Sequence, residues 1–293
     1  MSLACIHTHT LFCDGSDDIE TCCRAAFQKG FACLGFSAHN PILKKTGIDN
    51  GCNLPDEKLE EYISEVLAAK KRWEGKLPVY LGLEVDFIEN LTGPADRDLH
   101  ELGLDFIIGS VHYVLPPKGE PFAVDDKAER IERGIREGYG GDPMGMVEAY
   151  LNAEIAMIRS GGFDLLGHPD LVKKNNFKKD GDQNMLFSED AALYLEKTAA
   201  IAALMGEKGI PAEVNTGGIS RGKTKDCYPS LAFLKLFRRH GVAMVINADA
   251  HKAEHLDGYY DEAKKSMLEA GYKESLIFEG RQNGRALWRS ESL

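Results

Sequence analysis

The chain has 293 residues, 43% hydrophobic and 28% charged, proportions of a globular protein large enough to bury a core without disulfide staples. Its 35 basic and 46 acidic residues leave a net charge of −11, which argues against nucleic acid as the main partner, because such binding relies on Lys and Arg neutralising phosphates. No apolar run approaches the roughly 20 residues of a membrane span, the N-terminus lacks a signal-peptide pattern, and seven cysteines without a Cys-x-x-Cys spacing read as reduced, mostly buried thiols. A cytoplasmic protein without a membrane partner is expected.

In chain order, short apolar segments alternate with helical patterns. A first strand over 4–7 runs into His7-Thr8-His9, a helix over 19–29 follows, and a second strand over 32–37 leads to Ser37-Ala38-His39. The clearest helix spans 56–73, with Leu59, Tyr62, Ile63, Val66, Leu67 and Trp73 on one face, Pro55-Asp56 at its start and Gly75 past its end. A third strand over 78–85 carries Glu84, and a fourth over 105–111 ends at His112. Residues 116–143 break the pattern, being rich in Gly, Pro and charge. They read either as a disordered insert or as a loop over a functional site, and their place just after a strand end favours the loop.

A helix over 144–159 then leads to a strand over 164–167 and His168. After a helix over 188–208, a strand over 211–215 carries Glu213 and Asn215. A helix over 229–240 precedes the last strand, 242–247, with Asp249 and His251 just beyond it, and a helix over 261–270 follows. Continuous apolar strands suit a parallel sheet covered on both faces. Alternation of strand and helix along the whole chain predicts an α/β barrel or a doubly wound sheet, as one domain over 1–293.

The positions of the polar residues decide between packing and chemistry. Each of the seven expected strands carries a metal-capable residue at or near its C-terminal end, in six of them a histidine or a carboxylate of ligand type, and in a parallel barrel those ends share one rim. Residues i and i+2 of an extended segment point the same way, so His7 with His9, and Asp249 with His251, can each face one ion. Imidazole mixed with carboxylate suits Zn, Mn or Fe. A lone His112 or His168 would more often be a hydrogen-bonded rim residue; the joint pattern is what points to metal. His100, His240 and His255 are left outside the set.

These blocks resemble the polymerase and histidinol phosphatase (PHP) domain, in its stand-alone histidinol-phosphate phosphatase branch. The resemblance rests on His7-Thr8-His9 with Asp14-Gly15, Ser37-Ala38-His39, Gly82-Leu83-Glu84, Gly109-Ser110-Val111-His112, Gly167-His168-Pro169-Asp170-Leu171, Glu213-Val214-Asn215-Thr216 and Asp249-Ala250-His251, and covers nearly the whole chain. It implies a distorted (β/α)7 TIM-like barrel and three divalent ions. His7, His9, Glu84 and Asp249 would hold the first; Glu84 would bridge to a second on His112 and His168; Asp14, His39 and His251 would hold the third. Catalytic weight would fall on Glu84, Asp249 and His39. The implied chemistry is phosphomonoester hydrolysis by a metal-activated hydroxide, with L-histidinol phosphate as substrate.

For the phosphate, Lys173, Arg136 and Arg221 are candidates, each with a solvated surface cation as an equal alternative. Arg130, Arg133 and Arg136 recur at helical spacing, so an exposed helix face competes for them. Asp125 is a candidate for a substrate ammonium. Three rival readings stand beside this one. They are a phosphoesterase of the same fold acting on another small phosphomonoester or on nucleotides or nucleic-acid ends, an amidohydrolase, and a non-catalytic barrel. The amidohydrolase would commonly need a metal-bridging lysine at a strand end, where this chain has none, and the complete ligand set speaks against the last. Oligomeric state is open.

Overall fold

The computed structural model describes residues 2–176 and 186–293. In chain order its strands are β1 (Ala4–Cys5), β2 (Cys33–His39), β3 (Val79–Asp86), β4 (Phe106–Ser110), β5 (Tyr113–Val114), β6 (Phe122–Ala123), β7 (Leu165–Leu166), β8 (Ala212–Asn215), β9 (Met244–Asn247), β10 (Glu274–Gln282) and β11 (Arg285–Ser292). Seven of them pair in parallel in the order β1-β2-β3-β4-β7-β8-β9. The sheet closes just past the strand ends. Thr8 bridges Ala250 in parallel, the His9 N–H donates to the Ala250 carbonyl at 2.8 Å, and the Ala250 N–H donates to the His7 carbonyl at 3.1 Å. The result is the expected distorted (β/α)7 barrel, with each expected strand found to within a few residues.

Helices cover the outside because each presents one apolar stripe. Ile19–Gln28 buries Cys22, Cys23 and Ala26 after an N-cap in which the Asp18 carboxylate accepts from the Thr21 N–H at 2.7 Å. Leu59–Arg72 buries Tyr62, Val66 and Ala69, while Leu67 is turned outward. The expected face was therefore one position too wide: 62, 66 and 69 share a stripe, and 67 lies about 100° away from 66. Among the described residues, no helix is long and apolar enough to cross a membrane.

The barrel interior is packed with side chains. Ile6, Phe106, Ile108, Leu165 and Val245 fill it, and Gly82 is required beside them, since a Cβ there would come within 2.3 Å of the Phe106 ring. The base is plugged by a hairpin that the sequence reading did not anticipate. β10 and β11 pair antiparallel and turn through Asn283-Gly284, both at positive φ (52° and 76°). That is the two-residue turn that Asn-Gly favours, and it was the available signal. Phe278 reaches up to Phe106, Tyr80 and Trp288 in edge-on contacts. Arg281 clamps the hairpin to the strand starts by donating to the Asp105 carbonyl at 3.0 Å and to Asp164.

The 116–143 excursion is ordered. β5 and β6 form an antiparallel ribbon, Tyr113 opposite Ala123 and Val114 opposite Phe122. A helix over Ala128–Gly138 buries Ile131 and Ile135. The ribbon and helix rise beside the rim as one wall of a cleft of about 1370 Å³, which corresponds to the loop alternative of the sequence reading.

Candidate metal centre

Closure of the barrel positions the first two histidines. The hydrogen bonds that join His7–His9 to Ala250 set the His-x-His segment against Asp249 and His251 across the seam. Asp249 takes a positive φ of 47°, a conformation costly for a residue with a Cβ and concentrated at functional sites. Gly217 makes room for it, because a Cβ there would lie 2.8 Å from Asp249 Oδ2. On the other side of the rim the β2–β3 register places His39 directly beside Glu84.

Glu84 stands at the middle. Its Oε2 lies 3.2 Å from His7 Nε2, 3.4 Å from His9 Nε2 and 3.0 Å from His39 Nδ1. Its Oε1 lies 2.8 Å from His168 Nε2 and 3.5 Å from His112 Nε2. Asp249 Oδ1 is 3.3 Å from His9 Nε2 and 3.8 Å from His7 Nε2. Toward the solvent edge, His251 Nε2 meets Asp14 Oδ2 at 3.0 Å, with Asp14 Oδ1 at 3.6 Å from His9 Nδ1 and 3.7 Å from His39 Nε2. All nine residues of the sequence-derived ligand set thus meet in one cluster. Ligand atoms close enough to share an ion occur in the groups His7-His9-Asp249, His7-Glu84-His168 and His9-Asp14-His39-His251. His39 also groups with Asp86 and His112.

Orphaned atoms test whether ions fit. His7 Nε2, His9 Nε2, Glu84 Oε2 and Asp14 Oδ1 are buried and make no hydrogen bond, an arrangement that costs free energy unless something binds there. The charge points the same way. Burial would push Glu84 up, but His7, His39 and His112 around it hold its carboxyl well below the usual range. Asp249 is likewise held low against burial, chiefly by Arg221 and His7. Burial lowers His7, yet Glu213, Glu84 and Asp249 outweigh it and raise the ring well above its ordinary value. Burial and the neighbouring His251 and His39 push His9 down to about 3. A buried set of carboxylates and imidazoles with this polarity fits divalent cations.

Two groups that the sequence reading did not use as such orient the rings. Glu213, on β8, accepts from His7 Nδ1 at 3.0 Å and is itself held by Asn215 and Asn247 side chains and by the His168 N–H. Asp86, two residues beyond Glu84 on the same strand, accepts from His112 Nδ1 at 2.6 Å. Burial lowers His112, but Asp86 and Glu84 carry it up to about 10. Each carboxylate turns an Nε2 toward the centre, the usual outer arrangement of a ligating histidine. Glu213 was legible as a strand end; the Glu84-x-Asp86 alternation was the signal for Asp86.

The expected substrate contacts separate. Arg221 is at the cluster, its Nη2 donating to Asp249 Oδ2 at 3.0 Å and its Nη1 lying 2.7 Å from His251 Nδ1. Asp125 lines the cleft, paired with Lys174 at 2.8 Å, and that lysine outweighs burial to bring its carboxyl down to about 2. Lys173 departs from expectation: it is buried, bonded to Asp170 and to the Cys227 carbonyl, both at 2.9 Å, and does not line the cleft. Its neighbour Lys174 does. Arg136 also departs: it is exposed on the outer face of its helix beside Glu137, whereas Arg130 and Arg133 face the cleft. The helix-face alternative holds for Arg136 because Ile131 and Ile135 take the inner stripe.

The PHP domain model matches residues 6–217. A Deinococcus radiodurans protein assigned as a histidinol-phosphatase is 28% identical over 268 residues, covering 90% of this chain and 92% of the relative. The histidinol-phosphatase of Bacillus subtilis is 26% identical over 269 residues, covering 88% and 96%. Among solved structures, one from Listeria monocytogenes assigned as a histidinol phosphatase superposes with a TM-score of 0.75 at 25% identity, covering 88% of this chain and 99% of that one. The histidinol phosphate phosphatase of Lactococcus lactis, complexed with zinc, L-histidinol and phosphate, superposes at 0.68 with 20% identity, covering 96% and 99%; at that identity it supports the fold alone. Asp249 and His251 lie beyond the matched family span, and their place rests on the geometry above.

Proposed function

The chain belongs to the PHP domain family, and on that premise we propose that it is a metal-dependent phosphomonoesterase that hydrolyses L-histidinol phosphate to L-histidinol and phosphate. The observation that carries this is the central carboxylate. Glu84 presents one oxygen to His7, His9 and His39 and the other to His112 and His168, so a single side chain can be shared between two cation positions. The substrate comes from the likeness to relatives named for that activity.

Three divalent ions are proposed, of Zn, Mn or Fe, whose donor preferences match imidazole with carboxylate. His7, His9, Glu84 and Asp249 would hold one, Glu84, His112 and His168 a second, and Asp14, His39 and His251 a third. When bound, such ions lower the pKa of water and neutralise phosphate oxygens. The chain does the rest. Glu213 and Asp86 fix His7 and His112, Arg221 stands at the cluster edge as a guanidinium for a phosphate oxygen, and Lys174, Arg130 and Arg133 line the outer cleft, Lys174 paired with Asp125 and Arg130 with Asp126. Asp125 offers a carboxylate to an ammonium on the leaving group.

Phosphate release from a panel of small phosphomonoesters, with enzyme loaded with Zn, Mn or Fe and a chelated control, tests the reading. The expected result is metal-dependent release with the highest kcat/KM on L-histidinol phosphate. Absence of release under every metal would overturn the phosphoesterase reading. A tenfold preference for another phosphomonoester would overturn the substrate alone.

A further inference from the structure

A histidine that turns Nε2 toward an ion carries its hydrogen on Nδ1, and the group accepting that hydrogen fixes the ring. Glu213 does this for His7 and Asp86 for His112. His9 has no such carboxylate. Its Nε2 is buried, unbonded and directed at Glu84 Oε2 and Asp249 Oδ1, while its Nδ1 faces Cys13 Sγ at 3.4 Å. Asp14 Oδ1 is the next group at 3.6 Å, beyond hydrogen-bond range, and the other oxygen of that carboxylate meets His251. The sulfur does not sit there by accident of a loose loop. Cys13 N–H and Gly15 N–H both donate to the Thr10 carbonyl, at 3.0 and 3.1 Å, closing a turn immediately after the His-x-His segment.

We propose that Cys13 is a positioning residue of the metal centre, its sulfur accepting the Nδ1 hydrogen of His9 and holding that ring with Nε2 toward Glu84 and Asp249. The inference rests on the metal-dependent reading above. A thiol sulfur is a weaker acceptor than a carboxylate and, as a thiol, carries no charge. Chemically this differs from the other two pairs. A carboxylate behind an imidazole raises its basicity as well as orienting it, whereas a neutral sulfur orients it without adding negative charge. His9 is packed against His39 and His251, with ring centroids 4.5 and 4.4 Å away, so its rotation would disturb all three rings.

The test compares wild type with Cys13→Ala and Cys13→Ser. Metal content and dissociation constants are measured by competition with a chromophoric chelator, the His9 tautomer by ¹⁵N NMR of the metal-free protein, and kcat and KM separately. Cys13→Ala is expected to raise the dissociation constant of one ion roughly tenfold, the lower end for loss of an outer partner. It should scramble the His9 tautomer and lower kcat with KM little changed. The serine hydroxyl accepts the same hydrogen, so Cys13→Ser should recover most of the affinity and the tautomer, with equal Tm for all three metal-free forms. Unchanged metal affinity and tautomer in Cys13→Ala, in a wild type that binds ions and releases phosphate, overturns the role of Cys13 alone. A sulfur-to-cobalt charge-transfer band in Co²⁺-loaded wild type, lost in Cys13→Ser, overturns it too by making Cys13 a direct ligand. A wild type that binds no divalent ion overturns this inference and the metal reading together.

Discussion

The two ends of this barrel are built on opposite principles. At the base, Phe278 and Ile277 of the C-terminal hairpin pack under Ile6, Phe106 and Val245, and the polar groups at the edge are clamped by Arg281. At the rim, within the same seven strands, carboxylates and imidazoles are buried with several of their atoms unbonded. One end lowers the free energy of the fold by removing apolar area from water. The other holds groups that repel or go unsatisfied until a cation joins them. In such barrels residues at the carboxyl ends of strands carry chemistry and those at the opposite face carry stability; here the division shows in the orphaned atoms.

The sharpest break of that contrast is at Glu84. Glu84→Gln keeps the shape but removes the charge that the two proposed cation positions would share, and we expect kcat to fall roughly 10²–10³-fold, the scale for losing one preorganised electrostatic contact. Cooperative unfolding should persist, since the core does not depend on that carboxylate. Near-normal turnover with full metal content would remove Glu84 from its central place. Chelation attacks the same end. A single ion at about a thousandfold over its dissociation constant stabilises by about 4 kcal/mol, so stripping the proposed ions should abolish phosphate release and lower Tm by roughly 10 °C or more, both reversed on reloading. A stripped enzyme with unchanged Tm would mean that the rim is not waiting for cations.

The base should behave in reverse. Phe278 is buried against Phe106, Tyr80 and Trp288, and Phe278→Ala should cost about 3–5 kcal/mol of stability while kcat of the folded fraction stays near wild type. Denaturant unfolding beside initial rates separates the two. A large loss of kcat at full folding would show that the ends are coupled through the barrel.

How legible each end was follows from the physics of its residues. The rim could be read because a candidate ligand set imposes residue types that packing does not choose, at strand ends that periodicity locates: His7, His39, His112 and His168 each close an apolar run. The base was missed although Asn283-Gly284 announced it, because a C-terminal hairpin lies outside the strand-helix alternation that guided the reading. Side-chain direction was the least legible. Lys173 and Lys174 are neighbours in sequence, but the short helical turn over Leu171–Lys173 sends the first to Asp170 and leaves the second in the cleft. Arg136 and Arg133 diverge for the same helical reason. Replacing Arg221 with Ala should therefore raise KM for a phosphomonoester roughly tenfold, the loss of one charge-assisted contact, with some fall in kcat because it also touches Asp249. Arg136→Ala should stay within about twofold of wild type. A larger effect at Arg136 than at Arg221 would reverse the geometric sorting.

A pH-dependent effect is expected where the two principles meet, behind His168. Glu154 is fully buried on the helix Pro143–Ser160, and its Oε1 lies 2.9 Å from the Tyr150 hydroxyl. That hydroxyl lies 3.3 Å from the His168 carbonyl and accepts from the Leu171 N–H at 3.2 Å. Glu154 Oε2 has no hydrogen-bond partner. Burial raises the Glu154 carboxyl well above its ordinary value, with Tyr150 and His112 offsetting only part of that. The folded form therefore keeps a proton that the unfolded chain gives up near its ordinary carboxylate pKa. Stability tied to this group is fully present below that unfolded pKa and is lost as pH rises toward the folded one. Glu154→Gln supplies a permanently neutral side chain of the same size. It should match wild type near pH 4 and exceed it by about 1 kcal/mol or more at pH 8, each unit of raised pKa being worth about 1.4 kcal/mol. Urea unfolding across that range reads the difference directly. Parallel stability curves for the two proteins would mean that Glu154 is ionised in the fold, and that the rim's electrostatic field reaches through Tyr150 into what is here assigned to the apolar frame.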